Sequence, residues 1–228
     1  MPAKVFHFYR VSFVHMSIKN GFIFRFKQLV LMIVITLAHL VSNANATSGS
    51  ILIIGDSLSA EYGIQSNTGW VSYIQEYLNE YNKPYKITNV SISGETTSGG
   101  LSRLGKALER YSPEIVVIEL GSNDALRGLP LDMTKKNLSE MIDMSKGTGA
   151  QVMIIGMQLP PNYGKTYVKQ FSEIYKLLAD EKDVTLVPFL FEGFATNRDY
   201  FQEDGIHPNE KAQATMASNV WVKLRPML

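Results

Sequence analysis

Two kinds of apolar pattern alternate along the chain from residue 51 onward. Largely apolar runs at 51–54, 115–120 and 152–156 have the length and β-branched content of strands buried on both faces. The stretch 85–92 alternates as a strand does, and 184–187 is a shorter run of the same kind. Between them the spacing changes to three and four residues. Trp70, Tyr73, Ile74, Tyr77, Leu78 and Tyr81 predict a helix with one apolar face, capped by Asn67 or Thr68. Leu101, Leu104, Leu108 and Tyr111 predict a second, closed by Pro113. A third runs from Pro130 to about Lys146, with Met133, Met141 and Ile142 as core residues. Phe171, Ile174, Tyr175 and Leu178 mark a fourth, and Pro208 opens a last one that reaches about Leu224. Strands separated by helices imply a parallel sheet covered on both faces.

The first 46 residues follow neither pattern. They lack Asp and Glu, carry Lys4, Arg10, Lys19, Arg25 and Lys27, and then run apolar over 29–40 before Ala44-Asn45-Ala46. A charged segment, an apolar segment and an A-x-A site together predict a secretory signal peptide, for which Met16 is an alternative start. The apolar run is short for a retained membrane anchor, and the chain has no cysteine for lipid to be attached to. Cleavage after Ala46 leaves residues 47–228, one domain in size, with 17 basic against 21 acidic residues and a net charge of −4. A mildly acidic chain offers no electrostatic footprint for nucleic acid. Lack of cysteine also excludes thiol nucleophiles, thiolate metal sites and disulfides. Of the four histidines, only His207 survives the cut.

If the strands are parallel, the loops that follow them share one sheet edge, where open α/β folds hold their ligands. Gly55-Asp56-Ser57 follows the first strand and Ser91-Ile92-Ser93-Gly94-Glu95-Thr96-Thr97 the second. Gly121-Ser122-Asn123-Asp124 follows the third, and Asp204-Gly205-Ile206-His207-Pro208-Asn209 precedes the last helix. Ser57 is the leading nucleophile candidate. Taken alone, Asp56 and Ser57 are better read as a turn or a helix cap, and the rest of the chain must overturn that reading. A serine hydroxyl needs a base to take its proton, and histidine is suited to that task near neutrality.

These four stretches resemble the four motif blocks of the SGNH, or GDSL, hydrolase family. Leu126-Arg127-Gly128, Asn162-Tyr163-Gly164 and Asp204 to Asn209 extend the resemblance to its bacterial periplasmic thioesterase, protease and lysophospholipase members, over nearly all of the mature chain. The resemblance implies a flavodoxin-like three-layer α/β/α sandwich with a central parallel sheet. It also implies a serine esterase or thioesterase in which His207 is the general base for Ser57 and Asp204 orients the imidazole. The implied oxyanion donors are the backbone N–H groups of Ser57 and Gly94 and the side-chain amide of Asn123. Leu159, Pro161 and Tyr163 fall to the substrate-binding surface, and Asp56 and Asp124 brace the loops. No cofactor or metal is implied. The implied partners are small acyl esters, thioesters and lysophospholipids, handled by an exported, periplasmic or secreted, monomer with no anchor after processing.

Ser122 stands where close relatives often have glycine, and Glu61 and Pro161 also depart from them. Alternatives from other classes are a carbohydrate O-deacetylase or a non-catalytic acyl- or glycan-binding protein on the same fold. A metal hydrolase using Asp56, Asp204 and His207 is a further one. The stretch 94–100 resembles a phosphate-binding loop, but Gly100 occupies the place of its lysine.

Overall fold

The computed structural model describes residues 49–228, so the signal peptide expected over 1–46 lies outside the described residues. Strands β1 (Gly49–Gly55), β2 (Tyr85–Asn89), β3 (Ile115–Glu119), β4 (Gln151–Ile155) and β5 (Thr185–Val187) form one sheet. Every neighbouring pair is parallel, in the order β2-β1-β3-β4-β5. The helices are α1 (Trp70–Glu80), α2 (Thr97–Tyr111), α3 (Ser122–Leu126), α4 (Leu131–Gly147), α5 (Lys165–Lys182) and α6 (Glu210–Leu224). α1 packs on α6, and α4 packs on both α2 and α5, which makes the α/β/α sandwich implied by the resemblance.

Burial explains the unbroken apolar runs. In β1 and β3, Ile51 to Ile54 and Ile115 to Ile118 are each no more than 1% exposed. A parallel strand roofed by helices on both faces has no solvent side, so its residues do not alternate. At the sheet edge, β2 keeps an alternating start, with Lys86 exposed between half-buried Tyr85 and Ile87. From β1 the chain steps outward to β2 and then crosses back to β3. The carboxyl ends of β1 and β3 therefore flank the switch point, and the residues just beyond them face a crevice instead of a helix. The register pairs Gly55 with Glu119, so both strands end at one level.

Several local expectations are corrected. α1 is capped neither by Asn67 nor by Thr68; its N-cap is Gly69, and tertiary acceptors take over. The Glu61 carboxylate accepts the N–H groups of Asn67 and Gly69, each at 2.8 Å, and Gln213 of α6 accepts that of Trp70 at 3.0 Å. β2 stops at Asn89, short of Ile92, yet the N–H groups of Val90 and Ile92 still donate to Ile53 and Gly55 of β1. Pro130 and Pro208 lie just outside their helices, and α6 is capped by Asn209, whose side chain accepts the Lys211 N–H. Met133 is 37% exposed whereas Met141 and Ile142 are buried. Eight residues at 3.6 per turn rotate Met133 about 80° away from Met141, off the buried stripe.

Candidate active site

Ser57 stands two residues beyond β1, half-buried, and the chain that holds it is tied down on both sides. The Asp56 carboxylate accepts the Leu58 N–H at 3.0 Å on Oδ1 and the Asn123 side-chain amide at 3.0 Å on Oδ2. Asp56 thus braces the turn, as expected. Asn123 enters from the other side of the switch point, in the first turn of α3. Before it comes Gly121 at φ +120, where a Cβ would run into the Tyr175 hydroxyl. Asp124 accepts the Thr97 N–H at 2.8 Å and its hydroxyl at 2.5 Å, which braces the start of α2 against α3.

The stretch 91–97 is held to β1 by the Ile92 N–H, which donates to Gly55 O at 3.0 Å. Gly94 follows at φ +78, a conformation that favours glycine, and its carbonyl accepts the Arg127 guanidinium at 2.7 Å. Among the described residues nothing accepts its N–H. Glu95 forms an ion pair with Arg103, so the charge in this loop is already neutralised within the chain.

His207 arrives on a loop shaped by its own polar groups. Asp204 Oδ1 accepts the N–H groups of Ile206 and His207 at 2.9 and 3.0 Å, and Phe201 and Pro208 form a short antiparallel bridge. Gln202 ties this loop to the β1 side by donating to Tyr62 O at 2.8 Å. The imidazole then spans two groups: Nδ1 is 2.6 Å from Asp204 Oδ2, and Nε2 is 2.9 Å from Ser57 Oγ. An ionised carboxylate only accepts, so Nδ1 carries the proton and Nε2 is the acceptor facing the serine hydroxyl. Partial burial raises the Asp204 carboxyl, but hydrogen bonds from the His207 ring and two backbone N–H groups outweigh it and hold it at about 2. Tyr62 lies over the imidazole, ring centroids 4.5 Å apart.

Ser57, Asn123 and His207 line a cavity of about 810 Å³ whose wall is mostly apolar, with Met157, Phe189 and Phe191 among its side chains. Leu159, Pro161 and Ser122 line it as well. Tyr163 is 39% exposed, and neither it nor Gly94 belongs to the lining. Among the described residues no group of three or more His, Asp or Glu side chains is placed to hold a metal ion.

One buried acid at the site was not anticipated. Glu119, the last residue of β3, accepts the Ser59 hydroxyl at 2.7 Å and the Asp56 N–H at 3.3 Å. Its signal in the sequence was a charged residue inside a run otherwise apolar enough to be buried on both faces. Burial pushes the Asp56 carboxyl up to about 6, against the opposing effects of the Leu58 N–H, the Asn123 amide and the His207 charge.

The family model of the GDSL-like lipases and acylhydrolases matches residues 53–215, which contain all four loop segments. The chain belongs to this family. An esterase, TesA, from Pseudomonas aeruginosa is 41% identical over 192 residues, 84% of this chain and 96% of its own. An arylesterase from Vibrio mimicus is 39% identical over 192 residues, with the same shares. Thioesterase 1/protease 1/lysophospholipase L1 of Escherichia coli is 37% identical over 183 residues, 80% of this chain and 86% of its own. Among solved structures, TesA superposes with a TM-score of 0.77 at 42% identity, covering 78% of this chain and 99% of that one. The psychrotrophic esterase EstA from Pseudoalteromonas, solved inhibited by monoethylphosphonate, gives 0.74 at 36%, covering 78% and 97%. This member of the GDSL-like acylhydrolases is thus an enzyme whose relatives are named for ester and thioester hydrolysis.

Proposed function

We propose that the protein is an exported serine hydrolase that cleaves acyl esters and acyl thioesters, lysophospholipids among them, through an acyl-enzyme on Ser57. The observation that carries this reading is the continuous line from Asp204 Oδ2 through the imidazole to Ser57 Oγ, at 2.6 and 2.9 Å. As Ser57 Oγ bonds to the substrate carbonyl carbon, its proton passes to His207 Nε2, and Asp204 stabilises the imidazolium. The carbonyl oxygen becomes an anion, met by the N–H groups of Ser57 and Gly94 and the free amide hydrogen of Asn123. His207 then protonates the departing alcohol or thiol, and water, deprotonated by the same imidazole, releases the acid.

The acyl part would lie in the cavity against Leu159 and Pro161, whose apolar wall suits a hydrocarbon better than a sugar ring and favours this reading over a deacetylase. Residues 1–46 supply the signal for export, and among the described residues no helix is long and apolar enough to cross a membrane.

A phosphonate tests the assignment, because it forms a stable adduct only with an activated nucleophile. One equivalent should inactivate the mature protein and map to Ser57, and Ser57→Ala should lower kcat on p-nitrophenyl esters by on the order of 10⁴-fold or more. A label on Ser59 or Ser93, or an active Ser57→Ala protein, would overturn the mechanism.

A further inference from the structure

Asp56 and Glu119 are adjacent buried acids, 1% and 0% exposed, and among the described residues neither forms an ion pair with Lys or Arg. The titratable groups around them are His207, which acts on Asp56, and Tyr175, which feels Glu119, Asp56 and Asp124. The Tyr175 hydroxyl donates to Leu120 O and offers neither acid a charge. Two neighbouring carboxylates in such a place cannot both stay ionised, so the pair holds one proton. The hydrogen bonds indicate which acid holds it. Both Asp56 oxygens accept N–H donors, the arrangement of an anion. Glu119 accepts two donors on Oε2 and none on Oε1, so among the described residues Oε1 is the one carboxyl oxygen of the pair that no donor occupies and the one left to hold the proton.

We propose that Glu119 is a positioning residue that works as a neutral carboxylic acid. Its Oε2 fixes the turn that carries Ser57 by holding the Asp56 backbone and the Ser59 hydroxyl. By carrying the proton of the pair, it leaves Asp56 as the anion that aims the Asn123 amide. Burial, and then the nearby Asp56 charge, raise the Glu119 carboxyl well above the ordinary range. This inference rests on the roles given above to Ser57 and Asn123.

Glu119→Gln keeps an acceptor for both donors and stays neutral at any pH, whereas Glu119→Ala leaves an N–H and a hydroxyl unpaired beside the nucleophile. The alanine variant should lose on the order of a hundredfold in kcat with little change in KM, and the glutamine variant should restore kcat to within about threefold of the parent. The infrared difference spectrum of the parent minus Glu119→Gln at neutral pH should contain the carbonyl stretch of a protonated carboxylic acid, shifted in D2O. Lack of that band would overturn the proposal whatever the kinetics. So would a glutamine variant that is folded by near-ultraviolet circular dichroism and still as impaired as the alanine variant. Should Glu119→Ala fail to fold, the spectrum of the parent against Glu119→Gln still decides. The two readings fail separately, since an active Ser57→Ala protein would leave the infrared result standing, and a missing band would leave the phosphonate result standing.

Discussion

Asn123 spends one amide hydrogen on Asp56, and no described residue accepts the other. In the proposed mechanism that division makes it a donor aimed before substrate arrives, which is what transition-state stabilisation needs. Asn123→Ala should therefore lower kcat by on the order of a hundredfold while KM moves much less, as steady-state kinetics on a short p-nitrophenyl ester would register. An unchanged kcat would reduce Asn123 to a loop residue. At this scale the positions of the proposed site residues were partly legible in the sequence, because Ser57 and Asn123 stand just after apolar runs that end as strands and Gly94 follows the alternating stretch that begins as β2. Glu119 was not legible in its role. Strand periodicity says which residues are buried, but it does not say which buried acid meets which donor across a neighbouring strand.

Among the elements, the segment between β1 and α1 shows how a helix start can be set from a distance. Glu61, at φ +58, accepts the N–H groups of Asn67 and Gly69 and the Ser72 hydroxyl. It does the work that a local Asn or Thr cap would otherwise do. Glu61→Ala removes these acceptors and keeps a side chain at positive φ, so it should destabilise the fold by about 1–3 kcal/mol. Chemical denaturation would measure this as a lower midpoint at unchanged slope, and an unshifted midpoint would show the segment to be held otherwise. Helix interiors and strands were readable because burial stamps a period on the sequence. Cap identities, the short α3 and the outward turn of Met133 were not, because they depend on what packs from elsewhere.

For the whole molecule, Asp204 and Asp56 give stability a dependence on pH with opposite signs. The Asp204 carboxyl, ordinarily at 3.8, is held at about 2, so its contribution is full above about pH 4 and is lost as pH falls through about 2. Asp56, raised from 3.8 to about 6, contributes below about pH 4 and that contribution is lost as pH rises through about 6. These two groups favour mildly acidic conditions. Thermal midpoints taken from pH 2 to pH 7 should rise and then decline, and Asp204→Asn should flatten the acid limb alone. A midpoint that climbs steadily from pH 4 to pH 7 would contradict the shift at Asp56.

The order β2-β1-β3-β4-β5 puts the first described strand inside the sheet, one place from its edge, and brings its partner β3 from the far side of β2 and two helices. His207 comes 150 residues after Ser57, and the Gln213 side-chain oxygen that receives the Trp70 N–H lies 143 residues beyond it. During synthesis the proposed nucleophile is thus among the earliest described parts to emerge and its proposed base among the last. On the proposed mechanism, a nascent or truncated chain that ends before the His207 loop turns over nothing, however much of the sheet it has formed. Hydrolysis, once measured, would therefore report the completion of this chain, so that the appearance of activity during refolding times the docking of the final segment and not the collapse of the core.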